Sequence, residues 1–275
     1  MAGARRRNDR VTNGPGGDFL HLIRRQGDKA FARPAPVLQH RRMSSIAERL
    51  ENIRERIAAA ARHAGRAAGE VELVAVSKTF PAEAVREAAE AGQTLFGENR
   101  VQELLAKQPV LPSRLRWHLI GPLQSNKVRK VLPAADMLEA VHSLEIARDI
   151  QRVSEELGLR PRVLLEINVA AESSKHGFSP DQARARLEEL YGLDRLQIEG
   201  LMCIPPYDSG PEKSRRHFAA LRALRGELEK AGGAPLPQLS MGMSHDFEAA
   251  VEEGATLVRI GSAIFGSRPP ARMPL

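Results

Sequence analysis

At 275 residues, with 42% hydrophobic and 27% charged positions, the chain has the length and make-up to bury a full core, as one large domain or two smaller ones. No apolar run approaches the ~20 residues that span a bilayer, and a single cysteine, Cys203, excludes an internal disulfide framework, suits a reducing cytoplasmic setting and is a poor start for a zinc site. The net charge of +7 is confined to one end: of 41 basic and 34 acidic residues, ten and three lie in residues 1–42, leaving 31 of each elsewhere, so the folded part gives no reason to expect nucleic-acid binding.

Residues 1–42 are rich in Arg, Gly, Pro and Asn and lack sustained periodicity, which predicts a disordered basic extension. Its three acids set it apart from an organelle transit peptide; a start codon assigned upstream of the true one is the alternative. The folded domain is expected over residues 43–275. Ser45-Ile-Ala-Glu48 is a capping box, and Ile46, Leu50, Ile53 and Ile57 follow at helical spacing to a stop near Gly65.

From Val71 onward short apolar runs alternate with amphipathic stretches. The predicted strands are VELVAVS (71–77), TLFGEN (94–99), RWHLIG (116–121), DMLEAVH (136–142), RVLLEINV (162–169), IEGLMCI (198–204), PQLSMG (237–242) and LVRIG (257–261). Between them lie helical patterns such as PAEAVREAAEAG, LEIARDIQRVSEELG and DQARARLEELYG, several ending in a glycine. Eight such units predict an α/β fold, a single-domain (β/α)8 TIM barrel with an extra N-terminal helix; a doubly wound open sheet is the alternative. No G-x-G-x-x-G follows the first strand, which speaks against a dinucleotide-binding sheet.

A barrel places its active face at the C-terminal ends of its strands. Those ends read Lys78, Glu98-Asn99, Gly121-Pro122, His142-Ser143, Asn168, Met202, Ser244 and Arg259. Ser244, just before an acidic helical stretch, and Gly261-Ser262, after the eighth strand, offer hydroxyl and backbone N–H donors on adjacent loops, a combination that suits a phosphate. A helix cap at Ser244 and a plain turn at Gly261 are the structural alternatives. Arg259, flanked by apolar residues, needs an acceptor because guanidinium keeps its proton; that acceptor is either a ligand or a core carboxylate such as Glu166. Lys78 ends an apolar strand and either snorkels to solvent or sits desolvated with a lowered pKa, poised to attack a carbonyl. An amine, a phosphate cup and a cationic donor describe two ligand classes, a sugar-phosphate carbonyl in a Schiff-base aldolase and pyridoxal 5'-phosphate.

The motifs VAVSKTF, LFGENRVQE, WHLIGPLQSNK, EINVAAESSKHGF, EGLMCIPP, LSMGMSHD and VRIGSAIFG, spread over residues 44–268, resemble those of the pyridoxal-phosphate homeostasis proteins, which look like the N-terminal barrel of alanine racemase standing alone. The resemblance implies that Lys78 forms the Schiff base and that Asn99 lies beside the cofactor. It also implies that Met241, Gly242, Ser244, Gly261 and Ser262 surround the phosphate and that Arg259 faces the pyridine nitrogen. Arg259 can only donate there, so the ring stays unprotonated and is a weak electron sink.

Two-base racemisation needs a second acid–base group. In alanine racemase a tyrosine from a second domain of the partner subunit serves, and this chain ends shortly after its eighth strand. Its tyrosines are Tyr191, in a helix–strand connection, and Tyr207, in a turn-like PPYDSGPE segment. The expectation is a protein that binds, buffers and delivers pyridoxal phosphate to apo-enzymes without robust turnover, as a monomer or weak homodimer; a weak amino-acid racemase is the alternative. His118 is read as a satisfied core histidine, His245 as a helix cap, and Gln124–Lys127 as a polar loop that meets a recipient enzyme.

Overall fold

The computed structural model describes residues 44–172, 176–206 and 210–267; the expected N-terminal extension and Tyr207 lie outside them. Ser45 and Glu48 form the expected reciprocal cap, with Glu48 N–H donating to Ser45 Oγ at 3.1 Å and Ser45 N–H donating to Glu48 Oε2 at 2.8 Å. They open α1 (Ile46–His63), which buries Ile46, Leu50, Ile53 and Ile57.

Eight strand–helix units follow: β1 (Glu72–Val76), α2 (Ala82–Glu90), β2 (Leu95–Glu98), α3 (Val101–Lys107), β3 (Arg116–Leu119), α4 (Val128–Val131), β4 (Met137–Val141) and α5 (Leu144–Leu157). The second half comprises β5 (Arg162–Glu166), the broken pair α6 (Pro180–Ala185) and α7 (Leu187–Tyr191), β6 (Gln197–Met202), α8 (Gly210–Gly232), β7 (Gln238–Ser240), α9 (Phe247–Glu252), β8 (Leu257–Ile260) and α10 (Ser262–Phe265). All neighbouring strands pair in parallel, and β1 closes on β8 with Val74 opposite Arg259 and Ala75 opposite Ile260. The chain is a (β/α)8 barrel. DQARARLEELYG, read as one helix, is interrupted at Arg186.

Strand alternation sorts the apolar residues into two layers. Val74, Val76, Leu95, Ile120, Leu164 and Met202 belong to the small cluster inside the barrel. A much larger cluster, including Leu73, Ala75, Phe96, Trp117 and Leu165, packs between the strands and the helices. Among the described residues no helix is long and apolar enough to cross a membrane.

Candidate functional site

Lys78 follows Val74 and Val76 in the alternation that faces the barrel interior, and it is half-buried. It sits in a tight turn in which Phe80 N–H donates to Ser77 O at 3.1 Å. Thr79, the third residue of that turn, has φ +69°, the sign that a type II turn requires at that position. Continued past the strand ends, the β1–β8 register sets Lys78 level with the start of α10.

The loops after β7 and β8 meet there. Ser244 Oγ and Ser262 Oγ are 3.2 Å apart, and Ala263 N–H donates to Ser244 Oγ at 3.4 Å. The loop backbones can approach because they carry glycine. Gly242 has φ +92°, and a Cβ there would lie 2.6 Å from Ala250 Cβ; at Gly261 a Cβ would lie 3.0 Å from Val76 O. Ser244 is not the helix cap: α9 starts three residues later, with Asp246 as N-cap. His245, expected to cap, does not; its Nε2 lies 3.4 Å from Asp246 Oδ2, and the Asp246 carboxylate accepts from Met243 N–H at 2.7 Å. Met241 packs in the outer apolar layer, so only its backbone is offered to the mouth.

Arg259 is 4% exposed, so its charge must be answered from within the protein. Its Nη1 donates to Ser240 Oγ, and its Nη2 donates to Cys203 O at 2.8 Å. Ser240 Oγ in turn donates to Glu139 Oε2 at 2.5 Å, while His118 Nδ1 lies 2.6 Å from Glu139 Oε1. The carboxylate facing Arg259 is therefore Glu139, at 3.9 Å, rather than Glu166. Burial pushes the Glu139 carboxyl up, but the bond and charge of His118, the charge of Arg259 and the Ser240 hydroxyl more than offset it, leaving its pKa below the usual value. His118 is a satisfied core histidine as expected, yet it serves a charge network that ends at Arg259.

Glu166 stands apart. It is buried, its Oε2 has no hydrogen-bond partner among the described residues, and burial raises its pKa against the opposing charges of His142, Arg259 and His176. An uncompensated buried carboxyl beside a site is a candidate ligand contact. A cleft of ≈ 780 Å³ adjoins it, lined by Asn99, Gln124, Lys127, His142 and His176 among others. The Asn99 backbone is held by close packing, since a Cβ on Gly121 would lie 2.4 Å from Asn99 O.

Lys78, Asn99, Ser244 and Ser262 follow the C-terminal ends of β1, β2, β7 and β8, and Arg259 is buried within β8. Other strand-end residues have structural work. Ser143 caps α5 through Ile146 N–H, and the Asn168 amide bridges its own loop, donating to Glu172 O at 2.8 Å. Tyr191 ends α7 ahead of β6 and therefore lies on the opposite face of the barrel. Glu139, Ser240 and Lys107 escaped the sequence reading. Their partners are 101, 19 and 30 residues away, and the lone signal, for Glu139 and Ser240, was a charged or polar residue within an apolar run.

The chain matches the alanine racemase N-terminal domain family over residues 49–269. It is 47% identical over 232 residues to the pyridoxal phosphate homeostasis protein of Pseudomonas aeruginosa, an alignment covering 82% of this chain and 97% of that protein. The chain belongs to the pyridoxal phosphate homeostasis protein family. Likeness in three dimensions follows the same line. PipY of Synechococcus elongatus superimposes with a TM-score of 0.74 at 41% identity in the form without PLP, covering 81% of this chain and 100% of that one. In the form with PLP bound the TM-score is 0.71 at 40% identity, with the same coverage. An alanine racemase of Clostridium difficile shares the fold, with a TM-score of 0.62 at 18% identity; the homeostasis-family barrel covers 59% of that longer chain.

Proposed function

We propose that the protein binds pyridoxal 5'-phosphate through Lys78, holds it in reserve in the cytoplasm and releases it to apo forms of enzymes that use it. The observation that carries this reading is a lysine after β1 and a hydroxyl pair after β7 and β8, with a buried arginine in β8, the strand that pairs with β1, in a chain of this family. Pyridoxal phosphate supplies the matching groups, an aldehyde, a ring nitrogen and a phosphate dianion. Lys78 would hold the cofactor through its amine, and the cofactor would supply an aldehyde for that amine to condense with. The Ser244 and Ser262 hydroxyls, 3.2 Å apart, and the backbone at Gly242, Gly261 and Ser262 bind the phosphate. Asn99 flanks the ring, and Met241 contributes main chain only.

Arg259 answers the ring nitrogen. Ser240 and Cys203 O engage two of its N–H groups and fix the plane of its fork, and Glu139 balances its charge. A guanidinium facing the ring nitrogen could only donate to it, which would leave the nitrogen unprotonated and favour retention over carbanion chemistry. Tyr191, on the far face, is in no position to supply a second base. A buried thiol at Cys203 and exposed large hydrophobics confined to Val110, Leu157 and Ile204 among the described residues support a cytoplasmic monomer or weak homodimer. The Gln124–Lys127 loop at the rim of the cleft is the surface offered to a recipient enzyme.

Purified protein loaded with pyridoxal phosphate is expected to be yellow, and Lys78→Ala colourless. Colour that survives in Lys78→Ala overturns the assignment. Conversion of L-alanine to the D-enantiomer at ordinary enzymatic rates, on the order of 1–10³ per second, overturns the storage reading in favour of a racemase.

A further inference from the structure

The turn that carries Lys78 is gripped from outside the barrel by one face of α3. Ser77 O accepts from Lys107 Nζ at 2.8 Å as well as from Phe80 N–H. On the other side of Lys78, Thr79 N–H donates to Glu103 Oε2 at 2.8 Å. Glu103 and Lys107 are one helical turn apart and 3.6 Å from each other, so a single ion pair holds the main chain on both flanks of the lysine. Lys107 is anchored behind by the buried Glu98, whose Oε1 accepts from Lys107 Nζ at 2.6 Å and from Ser77 Oγ at 2.7 Å.

Two features of this grip are costly as plain scaffolding. Glu98 is fully buried and Lys107 is 7% exposed, and a buried ion pair seldom stabilises a fold more than apolar residues of the same shape. Thr79 holds a positive φ that β-branched residues rarely adopt. Strain and buried charge on either side of one lysine fit a turn shaped for presentation of that lysine.

We infer that Glu103 and Lys107 are positioning residues for Lys78: they order the turn before ligand arrives, so binding does not bear the ordering cost. This rests on the reading of Lys78 as the cofactor amine. Thr79 N–H is exposed and donates to water when released, so loss of the Glu103 contact falls on binding more than on folding.

The test compares Glu103→Ala, Glu103→Gln and the isosteric double variant Glu98→Gln/Lys107→Met with wild type. The double variant removes both buried charges together, so no unpaired ion is left to block folding. Three readouts are taken: the pyridoxal phosphate Kd from absorbance, the pH profile of Lys78 labelling by an amine-reactive ester in apo-protein, and the melting temperature. Glu103→Ala and the double variant are expected to weaken Kd roughly tenfold and to alter the labelling profile. Glu103→Gln, which keeps an acceptor for Thr79, stays within about twofold of wild type. Unchanged Kd and labelling in Glu103→Ala and in the folded double variant overturn the inference. A colourless wild type instead overturns the cofactor reading, and the labelling profiles still decide whether the grip acts on Lys78.

Discussion

Glu139→Gln isolates the charge that answers Arg259 while keeping side-chain volume. The wild-type carboxylate is fully buried and contacts His118 at 2.6 Å and Ser240 at 2.5 Å, with Arg259 at 3.9 Å. Breaking a buried pair costs about 3–5 kcal/mol. The low end, about 3 kcal/mol, applies because Arg259 keeps Ser240 and Cys203 O as acceptors and never touches Glu139 directly. For a domain of this size that corresponds to a fall in melting temperature of roughly 6–12 °C near neutral pH. The pH dependence adds a second signature. Glu139 binds its proton less tightly folded than unfolded, because its folded pKa lies below the ordinary 4.5. Its stabilisation is therefore complete above that value and lost as pH falls through the lower folded pKa. Thermal unfolding followed by circular dichroism should show a constant gap between the two proteins from pH 7 down to about 4.5 and convergence below it. A melting temperature within about 2 °C of wild type at pH 7, or a gap that does not change with pH, would refute the reasoning.

Two further outcomes follow from the loops. Ser244→Ala removes one hydroxyl from a charged ligand group and should weaken pyridoxal phosphate binding by roughly 10–100-fold while Lys78 stays reactive; equal affinity in an absorbance titration rules out the phosphate assignment. Gly121→Ala places a Cβ 2.4 Å from Asn99 O, and backbone cannot rotate away. It should cost about 1–3 kcal/mol in thermal unfolding, and an unchanged melting temperature would show that the two loops yield freely.

The barrel was legible because parallel strands buried on both faces read as continuous apolar runs; seven of the eight observed strands lie inside their predicted segments, and β6 starts one residue early, at Gln197. Lys78, Asn99, Ser244 and Arg259 were legible because a barrel turns strand ends into a list of candidates. What escaped was pairing across the barrel. The run MLEAV reads as a strand with one misplaced acid, and only closure brings Glu139 to Ser240, 101 residues on. Lys107 reads as the solvated end of a helix, yet the short β2–α3 connection folds it back under Ser77 and Glu98. The cap of α9, expected at His245, falls one residue later at Asp246, and the contact between Ser244 and Ser262 that sets the path of this loop joins residues 18 apart.

The barrel closes where β1 meets β8, so its closing seam runs between Lys78 and the Gly261-Ser262 loop. Those residues come from opposite ends of the folded chain, and no fragment lacking either end contains both. A molecule tethered to Lys78 and clasped at Ser262 would act as a stitch across that seam. At a hundred times its Kd it would add about 2.7 kcal/mol to the closed state. Release of such a ligand and opening of the seam would then be coupled, and the filled protein should resist unfolding and proteolysis at the one place where a closed sheet has its beginning and end.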